Sequence, residues 1–334
     1  MKRTFSLALL GACAVALPAS AQFTVPIYTE DFDDGLAATR WSAPVVDAEN
    51  GVFDGSVEYA FDYGAVGIPA APGSSSTIGI LFEANTTDQG GDQGEAVAIV
   101  PTVGGTLPAT DYRLSMQAYF NVERVNSGTT EFGLFGVHAA AFNAPGDEGL
   151  NDDVAFDFGL SNGNGLTYHA SGDSGAANDF HRYEDPGNAG SGSQTGLGSY
   201  DARENNDPSS FPSLDDPINN GPDNQWVEIA IERVGDQVTF LVDSTVIDTF
   251  DASAFSAGTI LLGYADYFNS VGVTTLEAGP DPTPFDDSDG PFGDSIAGYA
   301  HFLVIDNVQL SVVPEPTSAA LALLTLCGLA ARRR

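Results

Sequence analysis

Apolar and polar residues alternate with a period of two along much of this chain. Tyr112, Leu114, Met116, Ala118 and Phe120 fall on one parity; Arg113, Ser115, Gln117, Tyr119 and Asn121 fall on the other. The same alternation separates Val154, Phe156, Phe158 and Leu160 from Ala155, Asp157 and Gly159. It recurs as Val227, Ile229 and Ile231 against Glu228, Ala230 and Glu232, and as Val238, Phe240 and Val242 against Thr239, Leu241 and Asp243. Successive strand residues point to opposite faces, so each run predicts a strand with one face on a core and the other mostly polar. Gly235-Asp236 and Asp243-Ser244 lie between or beside these runs and predict tight hairpins. No stretch between Gln22 and Val313 shows a helical period. The pattern predicts an all-β, antiparallel sandwich of two sheets. The Trp226 strand should be central, with Val227, Ile229 and Ile231 in the core.

Between residues 161 and 224 the composition shifts to Gly, Asn, Asp and Ser. A structureless segment of that length inside a compact domain is either functional or disordered. It reads as a long insertion at one end of the sandwich. A shorter insertion over residues 278–295 is rich in Asp and Pro. Strands on both sides belong to one sandwich, so residues 22–312 form a single β-domain without internal repeats. Its N-terminal border is an export signal. Lys2 and Arg3 precede a mostly apolar run over residues 5–17, and Ala19-Ser20-Ala21 fits the small-x-small cleavage rule, which gives a signal peptide over residues 1–21. A competing lipoprotein-like box, Leu10-Gly11-Ala12-Cys13, leaves an apolar core of residues 5–10 only. Cleavage after Ala21 is preferred.

Charge narrows the partners. The chain carries 46 acidic and 11 basic residues. Between residues 22 and 315 the only basic side chains are Arg40, Arg113, Arg124, Arg182, Arg203 and Arg233, six against all 46 acids, a net −40. Such a surface repels nucleic acid and anionic lipid. It suits a salty medium, where screening shortens repulsion to ~10 Å or less. Cys13 and Cys327 both lie in the terminal segments, so the mature domain has neither disulfide nor thiol chemistry.

The C-terminus reads Val313-Pro314-Glu315-Pro316-Thr317-Ser318, then an almost unbroken Ala/Leu run over residues 319–331, then Arg332, Arg333 and Arg334. This order resembles a PEP-CTERM sorting signal over residues 313–334. The resemblance implies an exosortase-type processing enzyme as partner, transient anchoring by a short transmembrane helix, and a final place at the cell surface or in the extracellular matrix. The apolar run makes roughly 20 Å of helix, short of the ~30 Å hydrocarbon core, with the arginines on the cytoplasmic side. A second resemblance lies within the domain. Gln225-Trp226-Val227-Glu228-Ile229-Ala230-Ile231-Glu232-Arg233, Gly235-Asp236-Gln237-Val238-Thr239-Phe240-Leu241-Val242-Asp243, Gly258-Thr259-Ile260-Leu261-Leu262-Gly263 and Ile305-Asp306-Asn307-Val308-Gln309-Leu310 follow in order. With the opening Tyr28-Thr29-Glu30-Asp31-Phe32-Asp33-Asp34-Gly35 and Trp41, they resemble the concanavalin A-like lectin/glucanase jelly roll in its laminin-G-like form. That family pairs its first and last strands, which would bring residues 30–34 near Asp306.

Catalytic signatures are absent. Glucanases of that fold carry Glu-x-Asp-x-Glu or Glu-x-Asp-x-x-Glu on one strand, and no stretch here has either spacing. Gly172-Asp173-Ser174-Gly175 resembles the nucleophile loop of trypsin-like proteases. Ala176 breaks it, and none of His138, His169, His181 and His301 sits in that family's Ala-Ala-His-Cys context. His169 and His181 lack the paired spacing of metal ligands and read as solvated or hydrogen-bonded histidines. Hard oxygen ligands are plentiful in residues 30–34, 215–224 and 281–294, which makes structural calcium the candidate cofactor. Glu30, Asp33 and Asp306 are the candidate ligands. Solvated acidity is the competing account. Sugar sites need exposed aromatics beside polar groups. Tyr168, Tyr183 and Tyr200 are the candidates, with simple anchoring of the insertion as the alternative. The sequence therefore indicates an exported, non-catalytic β-sandwich that binds glycan, an extracellular polysaccharide. The alternatives are a purely structural matrix component or a glycoside hydrolase with unrecognised residues.

Overall fold

The computed structural model describes residues 23–48, 53, 55–84, 95–109, 111–121, 131–139, 165–172, 178–185, 193–200, 222, 224–255, 258–266 and 301–313. The signal peptide, the strand expected over residues 154–160, the acidic stretch 281–294 and the sorting motif (Pro314, Glu315, Pro316, Arg332, Arg333, Arg334) lie outside them. Among the described residues no helix is long and apolar enough to cross a membrane.

The strands run β1 (Val25–Glu30), β2 (Val45–Ala48), β3 (Ser56–Asp62), β4 (Ile78–Glu83), β5 (Glu95–Ile99), β6 (Tyr112–Asn121), β7 (Glu131–Ala139), β8 (Gly165–Ser171), β9 (Phe180–Asp185), β10 (Ser193–Gly196), β11 (Trp226–Val234), β12 (Gln237–Val242), β13 (Thr245–Asp251), β14 (Thr259–Asp266) and β15 (Phe302–Val312). One four-residue helix, α1 (Ala37–Arg40), follows β1. An eight-stranded sheet has the order β13-β12-β11-β6-β15-β4-β3, with β1 also on β15; a seven-stranded sheet has the order β10-β9-β8-β7-β14-β5-β2. Every recorded ladder is antiparallel. This is a two-sheet jelly-roll sandwich.

The parity read from the sequence sets the packing. Leu114, Met116, Ala118 and Phe120 of β6 and Val227, Ile229 and Ile231 of β11 are at most 1 % exposed and share one core with Tyr168, Leu262 and Tyr264 of the facing sheet. β11 is interior, flanked by β6 and β12. The first and last strands pair, with Glu30 opposite Val308. Both expected hairpins form. Gly235 has φ +61°, and Asp243 and Ser244 have φ +46° and +67°, the left-handed geometry that matches strand twist in a two-residue turn.

Residues 161–224 differ from the expected loop. They contain β8, β9 and β10, which form one side of the seven-stranded sheet. The signal was masked by its context: Leu166, Tyr168 and Ala170 supply three core positions within a Gly- and Asn-rich stretch, and the neighbouring strands complete the pattern.

A bulge in β15 between Asp306 and Gln309, with Asn307 at φ +54°, reverses the side-chain parity. Leu303 and Ile305 face the core before it, and Val308 and Leu310 after it. Asp306 is left on the outer face of the eight-stranded sheet. There the segment after β3 folds over a second apolar cluster that contains Tyr63, Ile68, Leu81, Tyr119, Phe302 and Val304.

Candidate functional site

The three residues expected to share a cation have separate partners. Glu30 closes β1 with its side chain 1 % exposed. Its Oε2 accepts from Arg40 Nε at 2.6 Å and Trp41 Nε1 at 3.4 Å; its Oε1 accepts from Arg40 Nη2 at 2.6 Å and the Phe32 amide at 3.0 Å. The same guanidinium grips Asp34 at 2.8 and 3.0 Å. Nitrogen donors thus fill both oxygens of Glu30, a donor environment suited to a guanidinium and not to calcium. Asp33 instead accepts from the Ser76 hydroxyl. Asp306 is wholly buried and accepts from Tyr63 Oη at 3.0 Å and from the Asn307 amide at 2.6 Å. Burial raises its pKa to about 6, and the Asp33 carboxylate pushes in the same direction. Among the described residues no group of three or more His, Cys, Asp or Glu side chains is arranged to hold a metal.

Tyr168, Tyr183 and Tyr200 are all fully buried, so none offers the exposed face that a sugar platform needs. Tyr168 stacks on Phe240 at 4.5 Å and 7° across the core, and its hydroxyl reaches Asp248 at 3.3 Å. Burial, with Asp248 beside it, holds that phenol well above its ordinary pKa. Tyr200 packs edge-on against Phe180 at 4.4 Å and donates to the Ser171 carbonyl at 3.1 Å. Tyr183 lies on the outer side of the seven-stranded sheet, its ring 4.1 Å from that of His169. These tyrosines anchor β8, β9 and the turn after β10.

Two groupings escaped the sequence reading because register created them. In the seven-stranded sheet Asp266 stands opposite both Glu131 and Glu95. The three carboxylates are at most 1 % exposed and lie on the core side, and His301 Nδ1 contacts Glu131 Oε1. Neighbours so paired sit ~5 Å apart. They come from three strands and carry no one-strand spacing. The second grouping spans the outer face of the eight-stranded sheet. Gln117 opposes Asp306 and Glu228, Ser115 opposes Gln309, and Arg113 opposes Ser311 and Glu232. Arg113 bonds both Glu228 and Glu232. Trp226 stands at the end of this polar plane, partly exposed. Its ring is held edge-on by Tyr63 at 5.2 Å and Tyr119 at 5.4 Å, and its Nε1 donates to the Pro69 carbonyl at 2.7 Å.

No family model matches the chain, and no curated protein does. Solved structures give distant likenesses. The catalytic domain of an endo-1,3-β-glucanase (laminarinase) from Thermotoga petrophila is 10% identical, with 89% of this chain and 100% of that chain covered at a TM-score of 0.40. A carbohydrate-binding module from Bacillus subtilis is 9% identical, with 70% and 86% covered at 0.32. At such values neither likeness assigns a ligand or an activity.

Proposed function

We propose that this chain is an exported, surface- or matrix-associated β-sandwich that binds a neutral polysaccharide without cleaving it. The observation that carries the reading is the outer plane of the eight-stranded sheet. It joins a partly exposed, rigidly held indole to a row of amides, hydroxyls and an Arg–carboxylate cluster. Pyranose rings stack on such an indole and their hydroxyls pair with such side chains. The net charge of −35 repels uronates and sulfated glycans and leaves neutral ones as the better fit. Export and anchoring follow from the two terminal segments, and an exosortase-type enzyme is the proposed processing partner.

A glycan array with the purified protein tests this. Binding should be confined to neutral glycans and should fall at least tenfold in Trp226→Ala and in the double change Gln117→Ala with Gln309→Ala, while circular dichroism stays unchanged. Binding that survives all three substitutions would move the site elsewhere. Release of reducing sugar from a bound polysaccharide would favour the hydrolase alternative, for which the buried Glu95–Asp266–Glu131 row would be the first place to mutate.

A further inference from the structure

The outer face of the seven-stranded sheet carries a feature that the glycan reading does not use. His169 of β8 and His181 of β9 are exact register partners. Twelve residues apart in sequence, they show no ligand spacing; the antiparallel ladder sets them side by side. Leu166, Tyr168 and Ala170 point into the core, so both imidazoles project from the opposite face. Phe132 flanks them at 6.4 Å from His169 and 5.5 Å from His181, and Tyr183 lies at 4.1 and 6.2 Å. His169 is 0% and His181 8% exposed. The next residues along this rung are Leu134 opposite His169 and Gly196 opposite His181. Among the described residues no carboxylate shares the rung.

We propose that His169 and His181 together bind an imidazole-preferring transition-metal ion, zinc or copper. Neutral imidazole is the ligating form. Two nitrogen donors on a rung without carboxylates select borderline metals over calcium or magnesium, which demand oxygen. Directly opposed strand residues stand ~5 Å apart at Cβ, a spacing that lets two rings converge on one ion. Flanking aromatic rings limit the water that competes for it.

The test uses Cu²⁺ as the probe, with the full chain in excess Ca²⁺ to occupy the acidic surface. Titration calorimetry should show one Cu²⁺ per chain above the background, and electron paramagnetic resonance should show coupling to two imidazole nitrogens. His169→Gln and His181→Gln should each weaken binding at least tenfold and remove one nitrogen coupling. Oxygen-only ligation in the wild-type spectrum would overturn the proposal, and that measurement needs no variant to fold. Equal affinity in folded His181→Gln would overturn it as well.

Discussion

At the scale of single residues, two buried groups respond to pH in opposite senses. Asp306 has its pKa raised from 3.8 to about 6, first by burial. The folded state therefore holds that proton more tightly than the unfolded chain does. The resulting stability is fully present below about pH 4 and lost as pH rises through about 6. His181 is lowered from 6.5 to about 4 by burial. Its contribution is complete above pH 6.5 and lost as pH falls toward 4. Asp306→Asn removes the first effect and keeps the shape. Its melting temperature relative to wild type should accordingly be higher at pH 7.5 than at pH 4.5; an equal offset at both pH values would refute the assignment. Arg40 is the other decisive residue. Its guanidinium compensates Glu30, whose side chain is 1 % exposed. Arg40→Ala leaves that buried charge without its counter-ion, with only the Trp41 indole and the Phe32 amide as donors, and should cost about 3 kcal/mol in urea unfolding. Arg40→Lys should recover only part of this loss, since an ammonium cannot make the two-pronged contact to Glu30 and Asp34 together.

At the scale of elements, the β11–β12–β13 meander shows how local chemistry fixes register. Its second turn places Asp243 and Ser244 both at positive φ. Asp243 is well chosen, because its side chain accepts from the Glu228 amide at 2.8 Å. Ser244 bears the left-handed conformation, its side chain making no such bond among the described residues, and an L-residue there costs ~1 kcal/mol. Ser244→Gly should therefore raise stability by about 0.5–1 kcal/mol at unchanged urea m-value. A loss of stability would mean that the turn has another geometry. Of this meander, β11, β12 and both turns were legible in the sequence because the two strands alternate cleanly and the turns are two residues long. β8 to β10 were not, since they sit between Gly- and Asn-rich segments. Pairing with β7 and packing on Phe240 decide their conformation more than local propensity does.

For the whole molecule, the two sheets and the two chain ends pose separate questions. The domain folds around one large core, whereas the terminal segments are proposed to serve as addresses. The proposed sorting tail is tested by Glu315→Ala and by deletion of Arg332, Arg333 and Arg334. Either change should leave an uncleaved, membrane-retained form on a blot of fractionated cells. Wild-type processing of both variants would remove the sorting proposal and leave the sandwich untouched.

The sequence by itself determined the fold class, the core faces of β6, β11 and β12, and both hairpin turns. Each of these follows from a local period of two or from turn chemistry, so neighbouring residues suffice to specify it. Tertiary structure decided which polar side chains meet. Glu30 goes to Arg40 because α1 swings the guanidinium back over the end of β1. Asp306 faces outward because a bulge reverses parity within one strand. His169 meets His181, and Asp266 meets Glu95 and Glu131, only through ladder register. Register is a relation between strands, set by the burial of their apolar faces, and no single strand's sequence contains it.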